Sequence, residues 1–401
     1  MQILEGIRVI DVTQFISGSR CAQILADMGA EVVKVEPPEG DTLRMTFNLT
    51  PGAERNYSVL NRNKYGIAVD MRKPEGRKII LRLATLSDIF IHNLIPGSLE
   101  KLGLGYEDIR SVRGDIIYAA ISGFGAVGVA PERAAFDIIA QATGGQFWNN
   151  QETFIMPDNY WGDLMTGAYA AIAILLALIH RMKSGHGQYI DISMQDVMYV
   201  NNYRAMMDKA LGPVMADIER QLGRRPRDVL HSSDRMPFYG FFKTNDGKVA
   251  IVSTTSRQWK DLTEIIGRPE MSSDPKFSNL IAQIKNHEEA VRLIEEWTTA
   301  HTSQEIIAVL EDKKIPCGIA YTIEEVTDDE NLKQRGMFQQ VHHEKYGDID
   351  IPGFPFKFSD AAGSIRMPAP GLGEHSRLVL EQWLGYTCEE VEELYNKKII
   401  V

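Results

Sequence analysis

The chain has 401 residues, of which 44% are hydrophobic and 24% charged, so it is long enough for two or more domains with full cores. Its formal net charge of -11 argues against nucleic acid or an anionic membrane as the main partner, because both attract basic surfaces. Three widely spaced cysteines without a CxxC motif are typical of a reducing compartment and exclude a disulfide framework.

The N-terminus lacks a basic region followed by an apolar stretch, so we expect no signal peptide and a cytoplasmic location. The longest uncharged apolar run, residues 168–179, is too short to span a bilayer. This run is therefore predicted to belong to a core helix, and no membrane partner is expected.

The first 200 residues alternate between β-branched runs and helical patterns. Strands are predicted at residues 7–12, 31–35, 88–92, 116–121 and 188–194. Helices are predicted at residues 17–29, 73–83 and 164–181. Strands separated by helices of this length indicate βαβ units and a parallel sheet, with ligands expected beyond the C-terminal strand ends.

The composition changes near residue 211. We predict a large domain at 1–211, a polar linker at 212–226, a smaller central domain at 227–330, and a return to the large domain at 331–401. The central part contains a hairpin, 238–243 with 249–252, around an Asn-Asp-Gly turn. Its helices are predicted at 256–266, 287–299 and 303–312. The last part carries short strands at 339–343 and 348–352 and a final helix at 373–384. The predicted fold class is α/β, a large Rossmann-like domain with a parallel sheet built from both chain ends plus a smaller α/β domain.

One glycine motif suggests a dinucleotide site. Residues 123–128 (GFGAVG) fit G-x-G-x-x-G and follow a predicted strand. A dinucleotide fingerprint must open a helix directly, however, and residues 129–131 (VAP) intervene. We therefore interpret the segment as a loop. No histidine or cysteine cluster has metal-ligand spacing, so no metal site is predicted.

Asp163 stands immediately before the predicted helix 164–181. By position alone it is best interpreted as a helix N-cap. A carboxylate at a helix N-terminus is also kept ionised by the helix dipole and is well placed to act as a nucleophile, and the two roles are compatible.

Several cations of the N-terminal half lie at or near predicted strand ends. They are Lys34, Arg44, Lys64, Lys101 and Arg133. Any one of them is most simply a solvated surface residue. Together, in an acidic protein, they favour a phosphate-bearing ligand.

Ordered blocks along almost the whole chain carry a resemblance. They include residues 4–11 (LEGIRVID), 28–36 (MGAEVVKVE), 61–64 (NRNK), 93–97 (NLIPG), 122–125 (SGFG), 162–163 (GD), 184–196 (SGHGQYIDISMQD), 315–318 (IPCG) and 352–359 (PGFPFKFS). In these blocks the chain resembles the class III coenzyme A transferases, which include formyl-CoA and carnitine CoA transferases. Their α-methylacyl-CoA racemase relatives belong to the same superfamily.

The resemblance implies that Asp163 is the nucleophile and attacks an acyl-CoA thioester. CoA would then move to an acceptor acid through aspartyl anhydride and aspartyl-CoA thioester intermediates, with no permanent cofactor. Asp137 and Gln14 are implied to support the nucleophile. The implied CoA contacts are Phe15, Ile16, Ser17, Lys34, Arg44, Lys64, Asn93, Leu94, Lys101, Phe124 and Gly125.

Two departures from the formyl-CoA enzymes bear on the substrate. Pro37 and Pro38 stand where those enzymes offer arginines to the nucleotide, which leaves that role to Lys34 or Arg44. Their glycine-rich flap has no counterpart between residues 208 and 247, so an oxalate-type acid is less expected. An apolar acyl pocket, with Phe15, Phe136, Tyr160, Trp161 and Met206 as candidates, favours a larger or less polar acid, although the same side chains are equally compatible with a core.

Two alternatives remain open, a racemase-like acyl-CoA enzyme and a noncatalytic CoA-binding relative. A racemase needs a histidine at the residue before Asp137, and Phe136 cannot carry a proton, which favours the transferase. The resemblance also implies an interlocked homodimer whose active site combines Asp163 of one subunit with small-domain residues of the other.

Overall fold

The structure of the protein is a computed structural model that describes residues 2–45, 55–129, 131–146, 159–210, 212–222, 235–236 and 238–401. The chain forms two compact units. The first comprises Met1–Tyr203 and Asn331–Val401, and the second comprises Arg204–Glu330. The interval predicted as a polar linker begins with a helix, Gly212–Leu222, rather than with irregular chain. Residues 223–226 of that interval lie outside the described residues.

A six-stranded parallel sheet forms the centre of the first unit. Its strands are β1 Arg8–Asp11, β2 Glu31–Glu36, β3 Lys64–Ala68, β4 Ile89–His92, β5 Ile117–Ser122 and β6 Gln188–Ser193. The order β3-β2-β1-β4-β5-β6 is that of a doubly wound nucleotide-binding fold. The chain reverses direction of winding between β1 and β4, so a crevice is expected beyond the ends of these two strands. The predicted parallel sheet is confirmed, and β3 is a strand that the sequence pattern missed.

Helices cover both faces of the sheet. They are α1 Ser17–Asp27, α2 Arg55–Asn61, α3 Pro74–Thr85, α4 Tyr106–Val112, α5 Asp137–Thr143, α6 Trp161–Ser184 and α7 Met194–Val200. Successive strand residues point to opposite faces, so Val9 packs with α1 and α6 in one core cluster while Ile10 packs with α3 and α4 in another. The shorter helices α2, α4, α5 and α7 were not predicted.

The helix α6 is longer than predicted. It has 24 residues, and among the described residues it is the one helix long and apolar enough to cross a membrane. One face of α6, which carries Ala170, Ile174 and Leu178, is buried in a core cluster with residues of α1 and the sheet. A single such helix with one face in a core is typical of a globular unit.

The C-terminal part completes the first unit, but the expectation that both chain ends build the parallel sheet is wrong, because all six of its strands lie between Arg8 and Ser193. The two short strands predicted there are confirmed as Phe338–His343 and Gly347–Pro352, and they pair antiparallel. The predicted final helix is shorter than expected and consists of Ser376–Leu378 followed by a π-helical segment, Val379–Trp383. A further helix, Cys388–Asn396, was missed, although Thr387 and Glu390 form a capping box at its start.

The second unit has its own core. Its antiparallel sheet contains Arg235–Met236, Tyr239–Lys243, Lys248–Val252 and Cys317–Ile319. Its longer helices include Ser256–Ile265, His287–Thr298 and Ser303–Asp312. The predicted hairpin is confirmed, with the Thr244 N–H donating to the carbonyl of Gly247 at 3.0 Å.

Candidate active site

Asp163 lies inside α6, in its first turn, and not at its N-cap. The helix begins at Trp161, and Tyr160 occupies the cap position without a side-chain hydrogen bond. The simple N-cap interpretation of Asp163 is therefore wrong. The backbone N–H of Asp163 donates instead to Oδ1 of Asp137 at 3.0 Å. A carboxylate from another helix thus satisfies one of the orphan amides of α6, which leaves the Asp163 side chain free for another role.

The Asp137 carboxylate is held from both sides. Gln141, one turn further along α5, donates to its other oxygen at 2.6 Å. Gly162 leaves room for it, because a Cβ at position 162 would lie 2.9 Å from Oδ1 of Asp137. The implied support of the nucleophile by Asp137 thus has a geometric basis, and Gln141 is a partner that the sequence analysis missed.

The Asp163 carboxylate lies at the N-terminal end of a second helix. The hydroxyl and the backbone N–H of Ser17, the first residue of α1, act on this carboxylate and lower its pKa. Asn93 in turn donates to Oγ of Ser17 at 3.3 Å. Because Ser17 follows β1 and Asn93 follows β4, Asp163 lies at the point where the strand order reverses.

The environment of Asp163 changes its acidity. Burial, with a smaller contribution from the negative charge of Asp137, raises the pKa of Asp163 to about 7, against the lowering effect of the Ser17 hydrogen bonds. No cation among the described residues contributes to this balance. The expectation that the helix dipole keeps Asp163 ionised is therefore not met, because burial outweighs it and makes the carboxylate more basic than a solvated aspartate. A more basic carboxylate is a stronger nucleophile once it is ionised.

The loop after β1 is held rigidly beside Asp163. Oδ1 of Asn93 accepts the backbone N–H of Gln14 at 2.7 Å, and Nδ2 of Asn93 donates to the Gln14 carbonyl at 2.6 Å. The next residue, Phe15, has a φ of 58°, which is unusual for an aromatic residue, and its N–H donates to Asp41 at 3.1 Å. Strained backbone of this kind is often found at functional sites.

Aromatic residues lie close in sequence to Asp137 and Asp163. The rings of Phe15 and Phe136 meet edge to face at 5.5 Å. Phe136 is 62% exposed and Trp161 is 52% exposed, although both adjoin the residues just described. Ile16 is only partly buried and packs against the small cluster of Leu43 and Tyr57.

Two of the predicted CoA contacts are not open to solvent. The side chains of Lys34 and Lys64 are 0% exposed. Lys34 pairs with Asp41 at 3.1 Å, and Lys64 pairs with Asp11 at 2.9 Å. Burial alone would raise the pKa of Asp11, but the two ammonium groups outweigh it and lower that pKa. These lysines hold the strand ends together, and their ammonium groups are occupied by buried carboxylates.

The remaining cations differ in how accessible they are. Arg44 forms two hydrogen bonds of 2.7 Å with Glu36, lies over the ring of Tyr57 and donates to the Pro370 carbonyl, while it lines a cavity of about 410 Å³. Lys101 is exposed and has no ion-pair partner among the residues that the structure describes. Lys34, Arg44, Lys64 and Lys101 are the four cations predicted to bind CoA. Among them, Lys101 is the one with an exposed and unpaired charged group in the part of the chain that the structure describes.

The glycine motif is a loop, as interpreted. No helix opens between the end of β5 at Ser122 and the start of α5 at Asp137, among the residues described there. Both oxygens of Asp191 accept the N–H of Ala126 at 2.9 Å, so this part of the loop is not open to a phosphate. Phe124 lies under the guanidinium of Arg133 at 4.6 Å, and Gly125 has a φ of 83°. The backbone N–H of Leu94 donates to Nδ1 of His92 at 3.3 Å.

Comparison with known proteins gives a consistent result. The profile of CoA-transferase family III matches residues 4–376. The chain is 30% identical over 405 residues to the mouse succinyl-CoA:glutarate CoA-transferase. The matched region covers 100% of this chain and 91% of the mouse protein. It is 32% identical over 409 residues to the formyl-CoA:oxalate CoA-transferase of Streptomyces avermitilis, with 99% of both chains covered. The crystal structure of a CAIB/BAIF family protein from Brucella suis superposes with a TM-score of 0.79 at 29% identity, over 94% of this chain and 98% of that one.

Proposed function

The chain belongs to family III of the CoA-transferases, and we propose that it moves coenzyme A from an acyl-CoA thioester to a carboxylic acid with Asp163 as covalent nucleophile. The observation that carries the proposal is the position of one basic, partly buried carboxylate at the N-termini of both α1 and α6. Helix N-termini stabilise negative charge on groups placed there.

The reaction balances without water or an external proton. The Asp163 carboxylate attacks the thioester carbonyl and expels CoA thiolate, which leaves a mixed anhydride. The thiolate attacks the aspartyl carbonyl of the anhydride and releases the donor acid, so that CoA becomes bonded to Asp163 as a thioester. The acceptor carboxylate attacks this thioester and forms a second anhydride with release of thiolate. Thiolate attack on the acceptor carbonyl then gives the new acyl-CoA and restores Asp163.

The residues around Asp163 have distinct roles in this scheme. Ser17 donates to the carboxylate and to the oxyanion that develops at its carbon. Asn93 orients the Ser17 hydroxyl, and Asp137 fixes the first turn of α6. Lys101 contributes a cation to the nucleotide end of CoA.

The border of the site favours an acid with an apolar chain. Phe15 meets Phe136 edge to face, and Phe136 and Trp161 are exposed and close in sequence to Asp137 and Asp163. No described cation acts on the Asp163 carboxylate to pair with a second carboxylate of a substrate. We therefore propose a monocarboxylic acyl group that is larger or less polar than oxalate. Acyl-CoA donors assayed against acids of matched length, with and without a second carboxylate, test this preference. Faster transfer to the dicarboxylic member of each pair would contradict it.

The outer face of α6 supports a homodimer. Tyr169, Ile172, Leu176 and Ile179 recur at spacings of three and four residues and are exposed. A stripe with this spacing is typical of a helix that packs against a partner helix. We propose that a second copy of the chain covers this stripe in an interlocked homodimer, which sedimentation of the protein and of its Leu176→Glu variant tests.

The covalent step is tested by trapping. Incubation with an acyl-CoA, quenching with hydroxylamine and peptide mass spectrometry should give an adduct confined to Asp163. The Asp163→Asn variant should lose transfer by about a thousandfold or more while it keeps its affinity for CoA. The Asp217→Asn variant, at an exposed aspartate of the second unit, is a control that should retain both. Retained transfer in Asp163→Asn would contradict the mechanism, and loss of an α-proton from the acyl group without an adduct would indicate a racemase.

A further inference from the structure

The second unit contains a cavity of about 380 Å³ that the proposed reaction does not use. It lies between the sheet and the first helix that follows it. Its walls include Ser253, Thr255, Ser256, Trp259 and Lys260. Cavities of this volume accommodate small metabolites.

The N-terminus of a ten-residue helix, Ser256–Ile265, opens into this wall. Thr255 is its N-cap and accepts the N–H of Gln258 at 3.2 Å, while the Gln258 side chain accepts the N–H of Thr255. The capping box therefore occupies the backbone N–H groups of Thr255 and Gln258. The N–H groups of Ser256 and Arg257 precede any intrahelical acceptor and carry the positive end of the helix dipole.

Two buried polar groups of the wall are unsatisfied. Oγ of Ser253 and Nε1 of Trp259 have no hydrogen-bond partner among the described residues. The two residues are 3% and 4% exposed. Leaving such groups without a partner is costly, so unsatisfied groups in a native structure usually have an unseen partner. Because an indole N–H can only donate, the missing partner of Trp259 must be an acceptor.

The charge carried by the cavity wall is positive. Lys260 is its one charged residue, and no aspartate or glutamate belongs to it. Lys260 is mostly exposed, and its contact with Glu264 is long at 3.8 Å. Most of the other wall residues carry hydroxyls or amides. Some of these already donate within the unit, as Ser272 does to the Pro269 carbonyl and Gln283 to the Phe277 carbonyl, whereas Ser253 and Trp259 do not.

We propose that this cavity binds a small metabolite through an oxyanion, a phosphate or a carboxylate, seated at the N-terminus of the helix Ser256–Ile265. The oxygens of the ligand accept from the hydroxyl of Ser253, the indole N–H of Trp259 and the first-turn amides. Lys260 supplies the counter-charge at the mouth. This makes the second unit a binding module in its own right, whatever its role in CoA transfer.

The test follows Trp259 directly in the whole protein. The chain contains five tryptophans, so labelling with 5-fluorotryptophan gives five ¹⁹F resonances, and Trp259→Phe identifies one of them. Inorganic phosphate and acetate are titrated separately, which distinguishes the two oxyanion types. We expect a saturable shift of the Trp259 resonance with at least one of them. No saturable shift with either probe across the millimolar range would overturn the proposal.

Matched variants separate binding from a general salt effect. Ser253→Ala should weaken binding about tenfold or more, because a hydrogen bond to a charged group is lost. Ser273→Ala, at an exposed serine of the same unit outside the wall, should bind as the parent does. Equal weakening in both variants would overturn the site. No CoA is present in these titrations, so the result is independent of whether the transferase mechanism holds.

Discussion

The carboxylate of Asp137 accepts the backbone N–H of Asp163 at 3.0 Å, so one acid holds the helix turn that presents the other. This contact also brings the carboxylates of Asp137 and Asp163 close together at a partly buried position. Asp137 therefore positions Asp163 and also opposes its ionisation, after the larger effect of burial.

Asp137→Asn should shift the acidic limb of the pH profile to lower pH. The wild-type kcat/KM should rise with pH through about 7, because only the ionised Asp163 attacks and its pKa is raised to about 7. Removing the charge of Asp137 leaves burial as the remaining cause, so the pKa of Asp163 falls. Steady-state kinetics from about pH 5 to 9 measure the pH at which kcat/KM rises. An unchanged limb in Asp137→Asn would show that the charge of Asp137 does not act on Asp163.

Asp163→Asn should stabilise the protein at alkaline pH. The folded-state pKa of Asp163 is about 7 and its ordinary value is 3.8. Between these values the folded state retains a proton that the unfolded state loses, so the free energy of unfolding falls as pH rises, and the loss is complete above about 7. The amide removes this penalty. For a partly exposed group the gain is on the order of 1–2 kcal/mol at about pH 8 and vanishes near pH 4.

Denaturant unfolding of both proteins at these two pH values measures the difference. Asp217→Asn, at an exposed aspartate, is the control and should show no gain with pH. Equal stabilisation of Asp163→Asn at both pH values would mean that its pKa is not raised in the folded state.

Lys34→Met should destabilise the fold. Its ammonium contacts Asp41 and, at 3.9 Å, Asp11, and also donates to the Thr13 carbonyl at 2.7 Å. Removing one partner of a buried ion pair costs about 3–5 kcal/mol, because the remaining carboxylate is left uncompensated. Urea unfolding measures this loss.

The matched variant is Lys101→Met, whose lysine is exposed. It should leave the unfolding midpoint unchanged and raise the KM for acyl-CoA about threefold to tenfold, because a surface cation near a phosphate contributes modestly. The reverse pattern, a stable Lys34→Met protein with weakened CoA binding, would restore Lys34 to the CoA site.

The sequence predicted the strands that are runs of β-branched residues, but not β3. Its sequence, KYGIA, begins with a lysine and contains Gly66, which weakens the strand pattern. Gly66 is needed because a Cβ there would lie 2.7 Å from Pro370, a residue 304 positions away. Such a constraint arises only in the folded chain and cannot be read from the local pattern.

The same reasoning explains the outcome at the site. Asp163 was recognised from the ordered blocks around it, whereas its contact with Asp137 spans 26 residues and depends on how α5 meets α6. Lys34 and Lys64 follow the pattern of strand-end cations, but their burial is set by Asp11 and Asp41, whose positions depend on the sheet. The signal for Gln141 was available, since it lies four residues after Asp137 on a helix.

Asn93→Asp should move the acidic limb in the direction opposite to Asp137→Asn. The carboxylate keeps the acceptor for the Gln14 N–H, but it replaces the amide group that donates to the Gln14 carbonyl and to Oγ of Ser17. The Ser17 hydroxyl is then drawn toward the new carboxylate and away from Asp163, so the stabilising hydrogen bond weakens. A second negative charge also lies nearby. Both effects raise the pKa of Asp163 further, so kcat/KM should rise at a higher pH than in the parent.

The control for this substitution is Asn286→Asp in the second unit. Asn286 likewise donates to two backbone carbonyls, those of Ala282 at 2.9 Å and Lys276 at 3.1 Å. It should lose stability by about 1–3 kcal/mol, as the loss of such bonds predicts, and keep the parent pH profile. If Asn93→Asp loses stability to the same extent and its limb does not move, the Ser17 hydroxyl is not the link between Asn93 and Asp163. If the limb moves upward in Asn93→Asp alone, the chain of donors from Asn93 through Ser17 sets the basicity of the nucleophile.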